Sequence, residues 1–313
     1  MKNVEFFRKY GIVFILALLM VIFTIGNPVF LTPANLINIL RQISMLVIIT
    51  MGMSFVLISG GIDLSVGAQL SAVGVISATL IYNYNVNPLL ACLIGVSFAT
   101  LVGFANGLFI STTRVPPLIA TLATQQLLLG IGFIVSSGRN IYGLPDSVKF
   151  LGQGYVGVIP VPILIAIVVV FIGWFILNKS YIGRYFYAIG SNEETARLSG
   201  INTKRIKTIA YTFSGFLSGL AAIIMMGRIN SGSPVVGKGF EMDVLTAAVL
   251  GGISISGGEG KVFGAIIGAL IIGVLSNGLI ILNVSEYYQM IVKGSVLALA
   301  IAFDSISTSR YRS

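Results

Sequence analysis

The chain has 313 residues, of which 56% are hydrophobic and 9% charged, and 19 Lys and Arg against 10 Asp and Glu give it a formal charge of +9. A soluble domain carries about 25% charged residues, so the composition excludes an ordinary soluble fold and points to an all-α integral membrane protein with several spans. Histidine is absent and Cys92 is the single cysteine, which removes an intrachain disulfide, Ser–His and Cys–His dyads and His-containing zinc sites.

In chain order, Lys2, Arg8 and Lys9 precede the apolar run "GIVFILALLMVIFTIG", and no small-x-small cleavage site follows. This reads as a retained first span with a cytoplasmic N-terminus. A spanning helix needs about 20 apolar residues, and candidate spans fall at 11–30, 36–59, 66–82, 88–110, 118–136, 160–178, 208–228, 244–257, 262–282 and 287–304. About ten spans place both termini in the cytoplasm. They put thirteen basic residues inside (Lys2, Arg8, Lys9, Arg114, Lys179, Arg184, Arg197, Lys204, Arg205, Lys207, Lys261, Arg310, Arg312) and six outside (Arg41, Arg139, Lys149, Arg228, Lys238, Lys293), as the positive-inside rule requires. These basic residues sit in short loops and form no stripe with interleaved aromatics, so no nucleic-acid partner is expected. The partner they imply is membrane lipid.

Asp63 lies in "SGGIDLSVG" beside Ser65. A carboxylate near membrane depth marks a functional site by default; the alternatives are a cap on a helix starting at Leu64 or a wet interfacial turn. Asn106, Gln125, Gln126 and Asn277 sit within spans. Each either bonds a neighbouring helix or lines a solute path. Glycines at small-residue spacing, such as Gly264, Gly268 and Gly273, predict close helix packing. "SGGIDLSVGAQLSAVG" (59–74) and "LGGISISGGEGKVFGA" (250–265) resemble each other weakly, which fits an internal repeat or two unrelated Gly-rich turns.

The most polar stretch is "YAIGSNEETARLSGINTKRIK" (187–207), within a basic loop at 179–207. Ser191 and Glu194 have the spacing of a reciprocal helix cap, and Gly200 can end the helix in the left-handed conformation. Residues 192–199 then form about two turns, about 12 Å long, with Glu193 and Arg197 as an i,i+4 pair. Asn202 and Thr203 offer a cap to the next helix. Such a knob either rests on lipid headgroups or docks into a protein groove; its two carboxylates favour the groove. Further on, "SGSPVVGKGFEMD" (231–243) and its flank place Arg228, Lys238, Glu241 and Asp243 on the outer side, as a solvated loop or a contact steered by charge.

Glu194, Thr195, Ala196 and Gly200 resemble the E-A-A-x-x-x-G signature of ABC importer permeases, with Thr for the first Ala and without the Ile-x-Leu-Pro continuation. "SFVLISGGIDLSVG" (54–67), "GRYFYAIGSNEETARLSGIN" (183–202), "AAVLGGISISGGEGKVFGAIIGALIIGVLSNGL" (247–279) and "VSEYYQMIVKG" (284–294) resemble the ribose-type monosaccharide permeases of that class. The resemblance implies a single permease domain over 1–313, paired with a second permease subunit in the bacterial cytoplasmic membrane. It implies that Asn192, Glu193, Glu194, Ala196, Arg197 and Gly200 couple to a cytoplasmic ATPase, and that a periplasmic or lipid-anchored binding protein delivers the sugar. The chain has no G-x-x-x-x-G-K-[ST] phosphate loop, so it holds no cofactor itself and ATP and Mg belong to the ATPase. The chain itself is then not an enzyme: paired carboxylates, a metal cluster or a Ser dyad at helical spacing do not occur in it. The competing function is a proton-coupled transporter, for which Asp63 is the one relay candidate.

Overall fold

A computed structural model describes the backbone of residues 2–113 and 115–312 and the side chains of 12–113 and 115–305. Arg114 lies outside the described residues, as do the side chains of Lys2, Arg8, Lys9, Arg310 and Arg312. The helices are α1 (Lys2–Gly26), α2 (Pro33–Ile58), α3 (Val66–Tyr82), α4 (Pro88–Thr113), α5 (Pro117–Ser136), α6 (Asp146–Gln153), α7 (Val161–Lys179), α8 (Tyr181–Ser191), α9 (Glu193–Leu198), α10 (Thr203–Ile229), α11 (Phe240–Leu250), α12 (Val262–Ile281) and α13 (Glu286–Arg312). Two short antiparallel pairs complete the described chain: β1 (Ile141–Tyr142) with β4 (Ser231–Gly232), and β2 (Tyr155–Val156) with β3 (Ile159–Pro160).

Six of these helices (α2, α4, α5, α7, α10 and α12) are long and apolar enough to cross a bilayer, and Ile12–Gly26 and Val66–Tyr82 are shorter apolar helices. The protein is an all-α, multi-pass membrane protein. The expected span at 244–257 is different in the structure: α11 starts at Phe240 and stops at Leu250, and a Gly-rich loop follows. Gly252, Gly257 and Gly258 hold positive φ there, so the apolar run continues in sequence after the helix has ended.

The helix ends follow local chemistry. Thr32 caps α2 through the Asn35 N–H, with Pro33 at the first position, where proline costs no hydrogen bond. Asn230 ends α10 at φ 53°, a conformation asparagine tolerates. The spans pack through small residues. A Cβ on Gly103 would lie 2.3 Å from the Tyr211 carbonyl and 3.0 Å from Gly215 Cα, so α4 and α10 meet backbone to backbone. Gly264 and Gly268 do the same against Gly251 and Ala247. In lipid, close approach of this kind replaces the hydrophobic drive available to soluble helices.

α2, α3 and α10 form the buried centre. α2 ends, and α10 begins, at the end of the bundle that carries α8 and α9, here called the inner end. The two Gly-Gly-Ile turns also meet at this end. They occupy different places in the chain, one between α2 and α3 and the other between α11 and α12, and they touch where a Cβ on Gly257 would lie 2.9 Å from Gly60 Cα.

Candidate functional site

At the inner end α9 forms a separate short knob. Asn192, not Ser191, is its cap: the Asn192 Oδ1 accepts from the Thr195 N–H at 2.8 Å, while Ser191 is the last residue of α8. The reciprocal cap expected of Glu194 is replaced by a bidentate pair with Arg197, whose Nε and Nη2 both donate to it. Glu193 reaches instead to Lys207 in the second turn of α10. Gly200 follows at φ 85°, and Asn202 caps α10 through the Arg205 N–H, both as the sequence predicts. The hydrogen bond to Arg197 holds the Glu194 carboxyl below its usual range. The pair is exposed, so it orients the side chains and adds little stability. Ala196 is buried beneath the helix, and Leu198 stands 74% exposed at its tip. Sequence reasoning missed Leu198; the signal was an apolar residue in an otherwise charged two-turn helix.

The knob is joined to the rest of the inner end by backbone. Gly190, the last residue but one of α8, lies against the last carbonyl of α2: a Cβ on Gly190 would lie 1.9 Å from Ile58 O and 2.4 Å from Gly258 N. Gly258 N donates to that same Ile58 carbonyl at 3.0 Å, and the Tyr187 hydroxyl donates to Gly260 O. At Gly190 the end of α8 therefore meets the end of α2 and the 257–260 turn backbone to backbone, and the Tyr187 side chain adds a second tie to that turn.

From Ile58 the chain turns back into the protein and is non-helical through residues 59–65. Backbone at membrane depth must be satisfied by protein, and here four helices supply the groups. The Tyr211 hydroxyl of α10 and the Thr121 hydroxyl of α5 both donate to Ile62 O, and Thr121 accepts from Leu64 N. Asp63 is fully buried. Its Oδ1 accepts from the Ser65 N–H at 3.1 Å and the Ser65 hydroxyl at 2.5 Å, and its Oδ2 accepts from the Ser214 hydroxyl of α10 at 2.8 Å. The Ser65 oxygen also accepts from Gln69 and from Asn106 of α4, and Thr124 of α5 donates to Asn106. Asp63 thus closes a turn ahead of α3, which starts at Val66, two residues later than the expected Leu64.

A second break lies beside the first. Residues 233–239 run along α3, where Gly237 N donates to Ser71 Oγ, and α11 begins beside Gly67. Glu241 is only 7% exposed; its Oε1 accepts from Gln125 of α5 at 2.9 Å, and its Oε2 has no partner. A Cβ on Gly67 would lie 2.1 Å from that oxygen, so the two non-helical segments open side by side. Glu241 therefore turns inward, and Asp243 is held by Lys293 of α13 at 2.7 Å. Val235, Lys238 and Gly239 in the break are exposed, as is Gln126 on α5. Arg228 bonds Asn38 at the other end of the bundle. Among the described residues no group of three or more His, Cys, Asp or Glu could hold a metal.

Asn277 does not join this network. It exchanges two hydrogen bonds of 3.0 Å with Asn35, clamping α12 to α2. In a double-mutant cycle, Asn35→Ala and Asn277→Ala are expected to couple by about 0.6 to 1.7 kcal/mol, read from unfolding of the detergent-solubilised protein. Additive effects would show that the clamp contributes nothing beyond packing.

Residues 35–301 match the family described as the branched-chain amino acid transport system permease component. The chain is 42% identical over 299 residues to the ribose import permease protein of Bacillus subtilis, covering 95% of this chain and 92% of that one. It is 39% identical over 304 residues to the D-allose transport system permease protein of Escherichia coli K12, covering 96% and 93%. The L-arabinose transport system permease protein of the same strain is 37% identical over 298 residues, covering 95% and 90%.

Proposed function

The chain belongs to this permease family, and from that premise we propose how it divides its labour. It is the transmembrane, non-catalytic permease subunit of a bacterial sugar importer of the ABC type. Ribose or a closely related sugar is the substrate, which the 42% identity to the ribose import permease protein of Bacillus subtilis supports. The inner end faces the cytoplasm with both termini, and the whole of 1–313 acts as one permease domain. A cytoplasmic ABC ATPase, which binds ATP and Mg, seats on the loop at 179–207 through Asn192, Glu193, Glu194, Ala196, Arg197 and Gly200. A periplasmic or lipid-anchored binding protein delivers the sugar, and a second permease subunit completes the path.

The observation that supports the path is the partly exposed non-helical segment at 235–239. Irregular backbone at membrane depth is tolerated where it is buried in protein or lines a watery cavity, and this segment is partly exposed, with Lys238 on it. The path therefore runs along the face shared by this break and by Gln126 on α5. Gln125, Asn106, Ser65 and Asp63 form the buried backing that holds the wall. The ten crossings comprise α1 to α5, α7, α10, the non-helical segment 233–239 continued by α11, α12 and α13. The long helix, break and short helix of α2–α3 recur in α10–α11 with opposite direction, which we read as an inverted repeat.

The knob provides the test. Glu194→Arg removes the pair with Arg197 and reverses the charge offered to the ATPase. The variant is expected to reach the membrane, yet to lose sugar-stimulated ATP hydrolysis and about tenfold or more of uptake, within the range of ordinary coupling free energies. The ATPase should also wash off more easily. A knob resting on lipid would gain attachment from the added Arg and transport normally, and a proton-coupled transporter would not respond at all. Unchanged uptake with the ATPase retained would therefore overturn the coupling role.

A further inference from the structure

At the outer end two arginines stand together, with no carboxylate paired to either among the described residues. Arg41 of α2 donates through Nη2 to the Gln153 carbonyl at 2.8 Å. Arg228, in the last turn of α10, donates to Asn38 Oδ1 at 2.9 Å. Asn38 and Arg41 are three residues apart on α2, and the Gln153 amide donates to the Gly227 and Arg228 carbonyls, so the four side chains form one cluster. The guanidiniums act on each other electrostatically. Neither has an ion-pair partner among the described residues, and the Nε of Arg41 is buried with no acceptor. Two like charges with an unused buried donor are unfavourable unless an anion completes them.

The surroundings say which anion. α6 packs on the backbone of α10 beside the cluster, where a Cβ on Gly152 would lie 2.1 Å from the Arg228 N. Beside Arg41 are the ring of Tyr155, with the guanidinium 4.6 Å from its centroid, and Leu40, which is 44% exposed. Aromatic rings with exposed aliphatic neighbours are the pattern of the headgroup level of a bilayer. Leu40 is also the top of a groove of about 490 Å³ between α2, α7 and α12, lined by apolar side chains such as Val47, Ile163 and Phe171, with Ala166 in its wall.

We propose that Arg41 and Arg228 bind the phosphodiester of an outer-leaflet phospholipid, one of whose acyl chains lies in the groove between α2, α7 and α12. Arginine presents paired N–H groups that match phosphate oxygens, and the groove begins one residue from Arg41. The bound lipid stiffens the seam between α2 and α7.

The test is mass spectrometry of the full-length permease complex, released from nanodiscs of defined phosphatidylethanolamine and phosphatidylglycerol composition. The wild type should retain phospholipid through detergent exchange, and so should the charge-conserving Arg41→Lys, Arg228→Lys double variant. Arg41→Gln with Arg228→Gln should lose it. So should Ala166→Phe, which fills the groove without touching either arginine and stands on its own if the double variant fails to fold. A wild type that retains no phospholipid, or Gln and Phe variants that retain as much as wild type, would overturn the site. Retained lipid with lost affinity for the external binding protein in the Gln variant would overturn it in favour of a carboxylate-docking role. Lipid lost from the Gln and Phe variants with Glu194→Arg still coupled would leave the site standing while removing the coupling reading.

Discussion

Gly190→Ala is expected to abolish most uptake while the ATPase remains bound. The added methyl would lie 1.9 Å from Ile58 O and 2.4 Å from Gly258 N, inside the hydrogen bond those two atoms make. Backbone cannot move aside as a flexible side chain does, so α8 must tilt away from α2 and from the 257–260 turn. Overpacking of this kind costs about 1–3 kcal/mol, which a bundle of this size survives. The loss falls on transmission. α8 leads directly into the knob, and the carbonyl it abuts leads directly into the non-helical segment at 59–65 that holds Asp63. A push on α9 is then expected to reach the break through this contact, where the backbone of α8 lies directly against that of Ile58 and Gly258. The α9 surface itself is untouched, so binding of the ATPase should persist and its sugar-stimulated hydrolysis should fall.

The control is Gly200→Ala. Gly200 sits at φ 85° with nothing within 4 Å of the place a methyl group would take, so alanine there carries a conformational cost of about 1–2 kcal/mol without a clash. It should loosen the end of the knob and lower uptake only in part. Equal uptake by the two variants, measured in proteoliposomes with the ATPase present, would show that the contact at Gly190 transmits nothing. Normal uptake by Gly190→Ala alone would lead to the same conclusion.

Hydropathy made the class and most spans legible, because a helix that crosses lipid must be apolar over its whole length. It failed at α11, where "LGGISIS" is as apolar as the helix before it and only backbone conformation marks the end. The knob was legible at Gly200 and Asn202, which act on their nearest neighbours in sequence. Its ion pairs were not: Glu193 finds Lys207, fourteen positions away and brought near by the turn into α10. Glu241 and Asp243 looked like loop charges because they follow a Gly- and Pro-containing stretch. That stretch is a break beside α3, which takes Glu241 to Gln125 and Asp243 to Lys293. The partner of Asn277 was equally hidden, since Asn35 lies 242 positions before it. The helix ends at Gly200 and Asn202 were readable in the sequence, whereas the choice between Ser191 and Asn192 as cap, the charge partners of the knob and the pairings set by distant helices were not.

Asp63→Ala is expected to leave little folded protein, and Asp63→Asn to leave nearly all of it. The alanine variant strands three buried donors, the Ser65 N–H, the Ser65 hydroxyl and the Ser214 hydroxyl. Each buried donor without an acceptor costs about 1–3 kcal/mol, so the sum reaches about 3 kcal/mol or more, a large share of the stability of an ordinary domain. Asparagine keeps an oxygen for the two Ser65 donors. Its NH₂ group faces Ser214, whose hydroxyl can turn from donor to acceptor, so the loss should be about 1 kcal/mol. The two variants therefore separate geometry from charge. With Asp63 fully buried and bonded to Ser65 and Ser214, its expected work is to fix the turn from which α3 starts, and Asp63→Asn should transport close to wild type. A role for the carboxylate charge itself, in a gate or a proton relay, requires the reverse: an Asn variant that assembles at normal levels and takes up no sugar. Thermal unfolding of the purified protein together with uptake in proteoliposomes decides between them, because the first reads the hydrogen bonds and the second reads the charge.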